Sequence, residues 1–162
     1  MSANESHLPD GYLQGPPPKR AESVSTYLAG PMAGIPEHNY PLFRRVSAYY
    51  RQTYNREIID PTDWVGGSPP EDKSYNECLK GSLRELLRAD SIFLLPGWER
   101  SRGATLELLV AVLLGYRVYL VIVWPGPSAT EPEQYSHRGY ACTPLTAILR
   151  FITTWGIFDV QT

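Results

Sequence analysis

Between residues 90 and 123 the chain reads DSIFLLPGWERSRGATLELLVAVLLGYRVYLVIV, and this stretch limits the possible fold more than any other. Residues 91–95 form a short apolar run of strand type, 96–103 a polar turn, and 104–114 an apolar segment long enough for a helix. Gly115 stops that helix, and residues 118–123 supply a second apolar strand. Apolar side chains occupy nearly the whole circumference of the helix, the pattern of a helix covered on several sides.

One carboxylate, Glu107, sits among them. Stripping water from an unpaired carboxylate is expensive, so Glu is almost never buried without a partner or a use. Glu107 falls in the first or second turn after a glycine-containing loop, where free backbone N–H groups and the helix dipole favour negative charge. Either it faces a ligand there, or it faces solvent or pairs with Arg100 or Arg102.

The 162 residues suffice for one domain with a real core. A net charge of -2 shows no basic surplus of the kind that marks binding to a nucleic acid polymer. The longest apolar run, residues 118–124, is too short to span a bilayer, and the first residues lack the pattern of a signal peptide, so no membrane partner and a cytoplasmic location are expected. Cys78 and Cys142 lack metal-ligand spacing and are expected as free thiols.

Residues 1–22, polar and rich in Gly and Pro, read as a flexible arm, and residues 23–162 as the folded domain. Residues 23–29 predict a strand that ends in Gly30-Pro31-Met32-Ala33-Gly34, a turn whose small residues let a ligand approach the backbone. A helix with an aromatic packing stripe is predicted from about 40 to 54, and a short strand over 57–59. Asp60 then opens a loop that includes Asp63 and Trp64, followed by a helix at about 74–89 with Leu79, Leu83, Leu86 and Leu87 inward. Residues 125–139 read as loop, 143–155 as an amphipathic helix capped by Thr143, and 157–160 as a final short strand.

Strand and helix thus alternate, which predicts a single α/β domain: a parallel sheet with helices on both faces, Rossmann-like or flavodoxin-like. Ligands bind such sheets outside the carboxyl ends of the strands. The loops after the first three strands should therefore share one cleft with Glu107. Their candidate contacts are Gly30, Pro31 and Met32, then Asp60 and Asp63, then Gly97, Ser101 and Gly103.

The segments YLAGPMAG (27–34), NYPLF (39–43) and AD-x5-PGWERSRGATLE (89–107) resemble the nucleoside 2-deoxyribosyltransferase superfamily, in particular its small, often phage-encoded relatives of unassigned function. The resemblance implies that Glu107 attacks the anomeric carbon of a nucleoside or nucleotide, forming a glycosyl ester and releasing the base, without metal or organic cofactor. An incoming base then makes a transferase and water an N-glycosidase. The resemblance also implies that Ser101 donates to a 5′-phosphate, that Arg100 or Arg102 adds charge, and that Tyr27 forms the floor of the site. Each has a plainer alternative: turn caps for Asp60 and Asp63, solvated charges for the arginines, sheet packing for Tyr27. Many members carry an Asp where this chain has Ser82; a hydroxyl is no acid near neutral pH, so Asp60 or Asp63 takes that role, the substrate has a better leaving group, turnover is weak, or the protein binds a nucleotide without cleaving it. A homo-oligomer, most simply a dimer, is expected from the apolar surplus of the Glu107 helix and the last helix.

Overall fold

The computed structural model describes residues 24–63, 73–124 and 133–156. Along them run β1 (Thr26–Ala29), α1 (Tyr40–Tyr54), β2 (Ile58–Ile59), α2 (Tyr75–Leu86), β3 (Ser91–Leu94), α3 (Arg102–Leu113), β4 (Arg117–Trp124), β5 (Gln134–Gly139) and α4 (Pro144–Trp155). The strands make one sheet in the order β2-β1-β3-β4-β5. All neighbours are parallel except β4 and β5, which pair antiparallel at the edge. The expected α/β architecture is therefore the one adopted.

The period of two in the strands sorts the core into two layers. Leu28, Phe93 and Leu95 point to the face covered by α1, where Phe43, Val46 and Tyr50 pack on them. Tyr27, Ile92 and Leu94 point to the opposite face, against Leu86 of α2, Leu108 and Ala111 of α3, and Ala147 of α4. Helix α3 is wedged between the sheet and its neighbours α2 and α4, which accounts for apolar residues around most of its surface. Where Thr26 and Ser91 meet across β1 and β3, their buried hydroxyls bond each other at 2.8 Å.

Three local outcomes differ from the sequence reading. Helix α3 begins at Arg102 because the Ser101 hydroxyl accepts the Ala104 N–H and caps it earlier than the apolar pattern suggests. Leu87, expected inward, lies just past the end of α2 and is 60% exposed. Residues 134–139, read as loop, are strand β5: polar residues alternate there with an inward Tyr135 and a half-buried His137, a pattern weak in β-branched residues that an antiparallel edge tolerates. The arm at 1–22, Trp64 and the strand expected at 157–160 lie outside the described residues.

At the end of β1 the chain passes very close to β3. The Leu95 N–H donates to the Ala29 carbonyl at 2.8 Å, and a Cβ on Gly30 would stand 2.9 Å from the Leu95 Cβ. Leu95 is fully buried and has no room to retreat. Gly30→Ala should accordingly lower stability by about 1–3 kcal/mol. Gly139→Ala, whose Cβ meets nothing within 4 Å, should stay within about 0.5 kcal/mol of the parent. Urea denaturation midpoints at unchanged m-value would check both.

Candidate functional site

The strand order reverses between β1 and β3: the chain runs outward from β1 to β2, then crosses back to lay β3 on the other side of β1. The loops leaving these two strands diverge at that point and leave a crevice. A cavity of about 1050 Å³ opens there, lined by residues 30–35 after β1, Pro61 after β2, and Pro96, Gly97 and residues 100–104 after β3. Gly97 takes a left-handed backbone, φ +84°, and a Cβ on it would lie 3.4 Å from the Pro31 ring, so the first and third loops nearly touch.

Glu107 reaches the cavity from the second turn of α3 while remaining only 6% exposed. Its Oε1 accepts a 2.7 Å hydrogen bond from the hydroxyl of Tyr27, a fully buried side chain on β1. The Ser82 hydroxyl, on the cavity wall formed by α2, lies within hydrogen-bonding reach of both. Burial pushes the Glu107 carboxyl up to about 7, and the bonds from Tyr27 and Ser82 act against that rise. Burial, and then the Glu107 charge, raise the Tyr27 phenol well above its ordinary value, which keeps it a donor. The result is a carboxylate that changes charge near neutral pH at the floor of a cavity.

Cations line the same cavity from two sides, Arg100 and Arg102 at the start of α3 and Lys73 just before α2. Glu107 is the single carboxyl among the described lining residues. Ser101 also lines it; since its oxygen is engaged by the Ala104 N–H, its proton remains available to an acceptor on a ligand. The loop is braced from behind by α4: the Trp155 indole donates to the Arg102 carbonyl at 3.0 Å, and the Thr154 hydroxyl to the Glu99 carbonyl at 2.9 Å. Apolar side chains, among them Met32, Ile35, Phe43 and Leu79, make the remaining walls.

The rim after β1 is strained. Glu37, His38 and Asn39 take φ of 49°, 50° and 62°, three successive non-glycine residues in the left-handed region, each at a cost of roughly 1–2 kcal/mol. Local bonds hold them there: the His38 N–H donates to the Ile35 carbonyl at 3.0 Å and the Asn39 side-chain amide to the Pro31 carbonyl at 2.9 Å. His38 itself is exposed and lines the cavity.

Of the candidates drawn from sequence, Gly30, Pro31, Met32, Ser82, Gly97, Ser101, Gly103 and Glu107 all line this cavity. Tyr27 lies beneath it and touches it through Glu107. Asp60 is buried outside the lining, with Oδ1 accepting the Thr62 N–H at 2.9 Å and Oδ2 unpartnered among the described residues; burial raises its pKa. Asp63 turns outward to an exposed ion pair with Arg51 at 2.8 Å. Neither aspartate lines the cavity with Ser82. His137, read as part of a loop, instead stands in an aromatic cluster on the α1 face, its Nδ1 3.1 Å from the Tyr50 hydroxyl. Sequence reasoning missed Tyr75 and Cys78. Their spacing with Leu79 and Ser82 marks one face of α2, and that stripe was the available signal. Cys78 and Cys142 are both free thiols.

The raised carboxyl has a consequence for stability. The folded chain holds the Glu107 proton up to about pH 7, whereas the ordinary value is 4.5, so this contribution is complete below 4.5 and is lost as pH rises through 7. Glu107→Gln keeps the shape and cannot ionise. Relative to the variant, the parent should lose roughly 2–3 kcal/mol between about pH 5 and pH 8, as read by chemical denaturation at each pH. A difference independent of pH would contradict the buried, titrating carboxyl.

No helix among the described residues is long and apolar enough to cross a membrane. No curated protein and no solved structure significantly matches this sequence. A family model does match, over residues 24–120, the segment that runs from β1 into β4 and contains most of the cavity lining. The chain belongs to the family described as a domain of unknown function, DUF4406.

Proposed function

We propose that this protein cleaves or exchanges the N-glycosidic bond of a (deoxy)nucleoside 5′-monophosphate or nucleoside, with Glu107 as the nucleophile. The observation that carries this reading is one buried carboxylate, held by a buried phenol, at the floor of a cavity large enough for a nucleotide. The resemblance of residues 27–43 and 89–107 to nucleoside 2-deoxyribosyltransferases supports it independently. Arg100, Arg102 and the Ser101 hydroxyl at the start of α3 suit a phosphate, and the apolar walls suit a base.

In this reaction a Glu107 oxygen bonds to the anomeric carbon as the bond to the base nitrogen breaks, and the Tyr27 hydrogen bond keeps the carboxylate aimed. Water, or a second base, then attacks the same carbon and frees the carboxylate. The nucleophile must be ionised. Base release from unliganded enzyme and substrate should therefore be lost as pH falls through about 7.

A specific observation favours a second reading. Ser82 stands where many relatives of the transferase type carry Asp, and neither Asp60 nor Asp63 lines the cavity, so a protein that binds a nucleotide without cleaving it fits the same site. Incubation with a panel of nucleosides and nucleoside monophosphates, with and without a free acceptor base, separates the two. Glycosidic cleavage predicts base release that falls at least ~10³-fold in folded Glu107→Gln. Calorimetric binding with no product would instead favour the binding protein.

The active unit in this reading is a dimer. Leu113, Leu145 and Leu149 are 64%, 66% and 56% exposed on the adjoining helices α3 and α4, an apolar surface that supports docking of a second copy. Light scattering should give twice the chain mass, and Leu149→Glu should halve it. A parent protein that is monomeric and fully active would remove this part of the proposal.

A further inference from the structure

We infer that His38 is the general acid of this site, giving its proton to the departing base; the inference rests on the reading of Glu107 as nucleophile. A purine or pyrimidine anion is a poor leaving group, so displacement at the anomeric carbon needs a proton on the base as the bond breaks. The groups around the cavity leave few sources. Its single described carboxyl is the nucleophile. The Tyr27 proton is committed to Glu107, and the other donors on the lining, the hydroxyls, the guanidinium groups, the phenols of Tyr40 and Tyr75, the Cys78 thiol and the Lys73 ammonium, belong to types that do not ordinarily release protons near neutral pH. Asp60 and Asp63 lie off the cavity.

His38 lines the cavity and carries the one type of side chain that ordinarily gains and loses a proton near neutral pH. It stands at the centre of the left-handed run of Glu37, His38 and Asn39, a backbone state that a surface turn of non-glycine residues would ordinarily relax out of. Here two bonds fix it, from the His38 N–H to Ile35 and from the Asn39 amide to Pro31, and Pro31 and Ile35 are themselves cavity residues. Strain of this kind persists where the neighbouring structure over-determines it, and it gathers at functional sites. Its effect is to lift the imidazole onto the rim that follows β1, while Glu107 enters from α3, another wall of the same cavity. A sugar bound between those walls can present its anomeric carbon to one and its base to the other.

The steps balance. A Glu107 oxygen forms a bond to the anomeric carbon; the electron pair of the carbon–nitrogen bond goes to the base, and the imidazolium proton of His38 goes to a base nitrogen, leaving neutral base and neutral imidazole. Water then attacks the anomeric carbon, His38 takes its proton, and the ester bond breaks to regenerate the Glu107 carboxylate. An acceptor base bearing an N–H replaces water in an exchange.

The test compares two leaving groups on one sugar: 2′-deoxyguanosine 5′-monophosphate, and its N7-methylated form, whose cationic base departs without a proton. In a single turnover, which reads base release before the glycosyl ester is hydrolysed, His38→Gln should slow release from the first by ~10²–10⁴-fold and change release from the second by less than about threefold. His38→Gly, which suits the left-handed backbone, should show the same loss and regain activity with added imidazole. Equal losses on both substrates, or none on either, overturn the role of His38 while leaving Glu107 in place. If the parent protein releases base from neither of these nor from the wider panel, the glycosidic reading fails and His38 with it.

Discussion

A carboxylate removed from water must find a donor, and here the donor comes from within the core rather than from the surface. The bond from Tyr27 to Glu107 joins the interior strand β1 to helix α3 at 2.7 Å, between two side chains almost without solvent contact. Much else in the architecture serves that contact. Residue Tyr27 faces α3 because β1 alternates its side chains, and α3 runs over β1 because a parallel pair of strands, β3 and β4, requires a crossover helix. Ser101 then fixes where α3 begins, and so the turn on which Glu107 falls.

The cavity is built from asymmetry in charge as well as shape. Its α3 end collects the guanidinium groups and the open end of a helix, while the floor holds one carboxyl whose burial keeps its proton to about pH 7. Had the carboxyl been exposed it would be ionised throughout, and had it lacked Tyr27 and Ser82 it would stay neutral further into the alkaline range. The opposed effects of burial and donation set the charge of the site near the middle of the physiological range.

Much of this was legible in the sequence, for identifiable reasons. The stretch 90–123 fixed two strands and a helix because buried parallel strands and a covered helix both leave unbroken apolar runs. Glu107 was conspicuous because it interrupts such a run. Strand β5 was not legible, since one face of an antiparallel edge is wet and its polar residues look like loop. Asp60 and Asp63 illustrate a different limit: both follow a strand towards the cavity, yet a turn closed by Thr62 and a pull from Arg51 send their side chains elsewhere. His38 was invisible because its position depends on backbone angles that residue type does not announce.

The brace behind the third loop comes from outside the family-matched segment. The family-matched segment ends at residue 120, whereas Thr154 and Trp155, which hold the Glu99 and Arg102 carbonyls, lie in α4 beyond it. Two chains of this family can therefore carry identical cavity residues and still differ in how firmly the arginine-bearing loop is held. A change in the last helix would loosen or tighten one wall of the cavity from behind, without altering one residue that lines it.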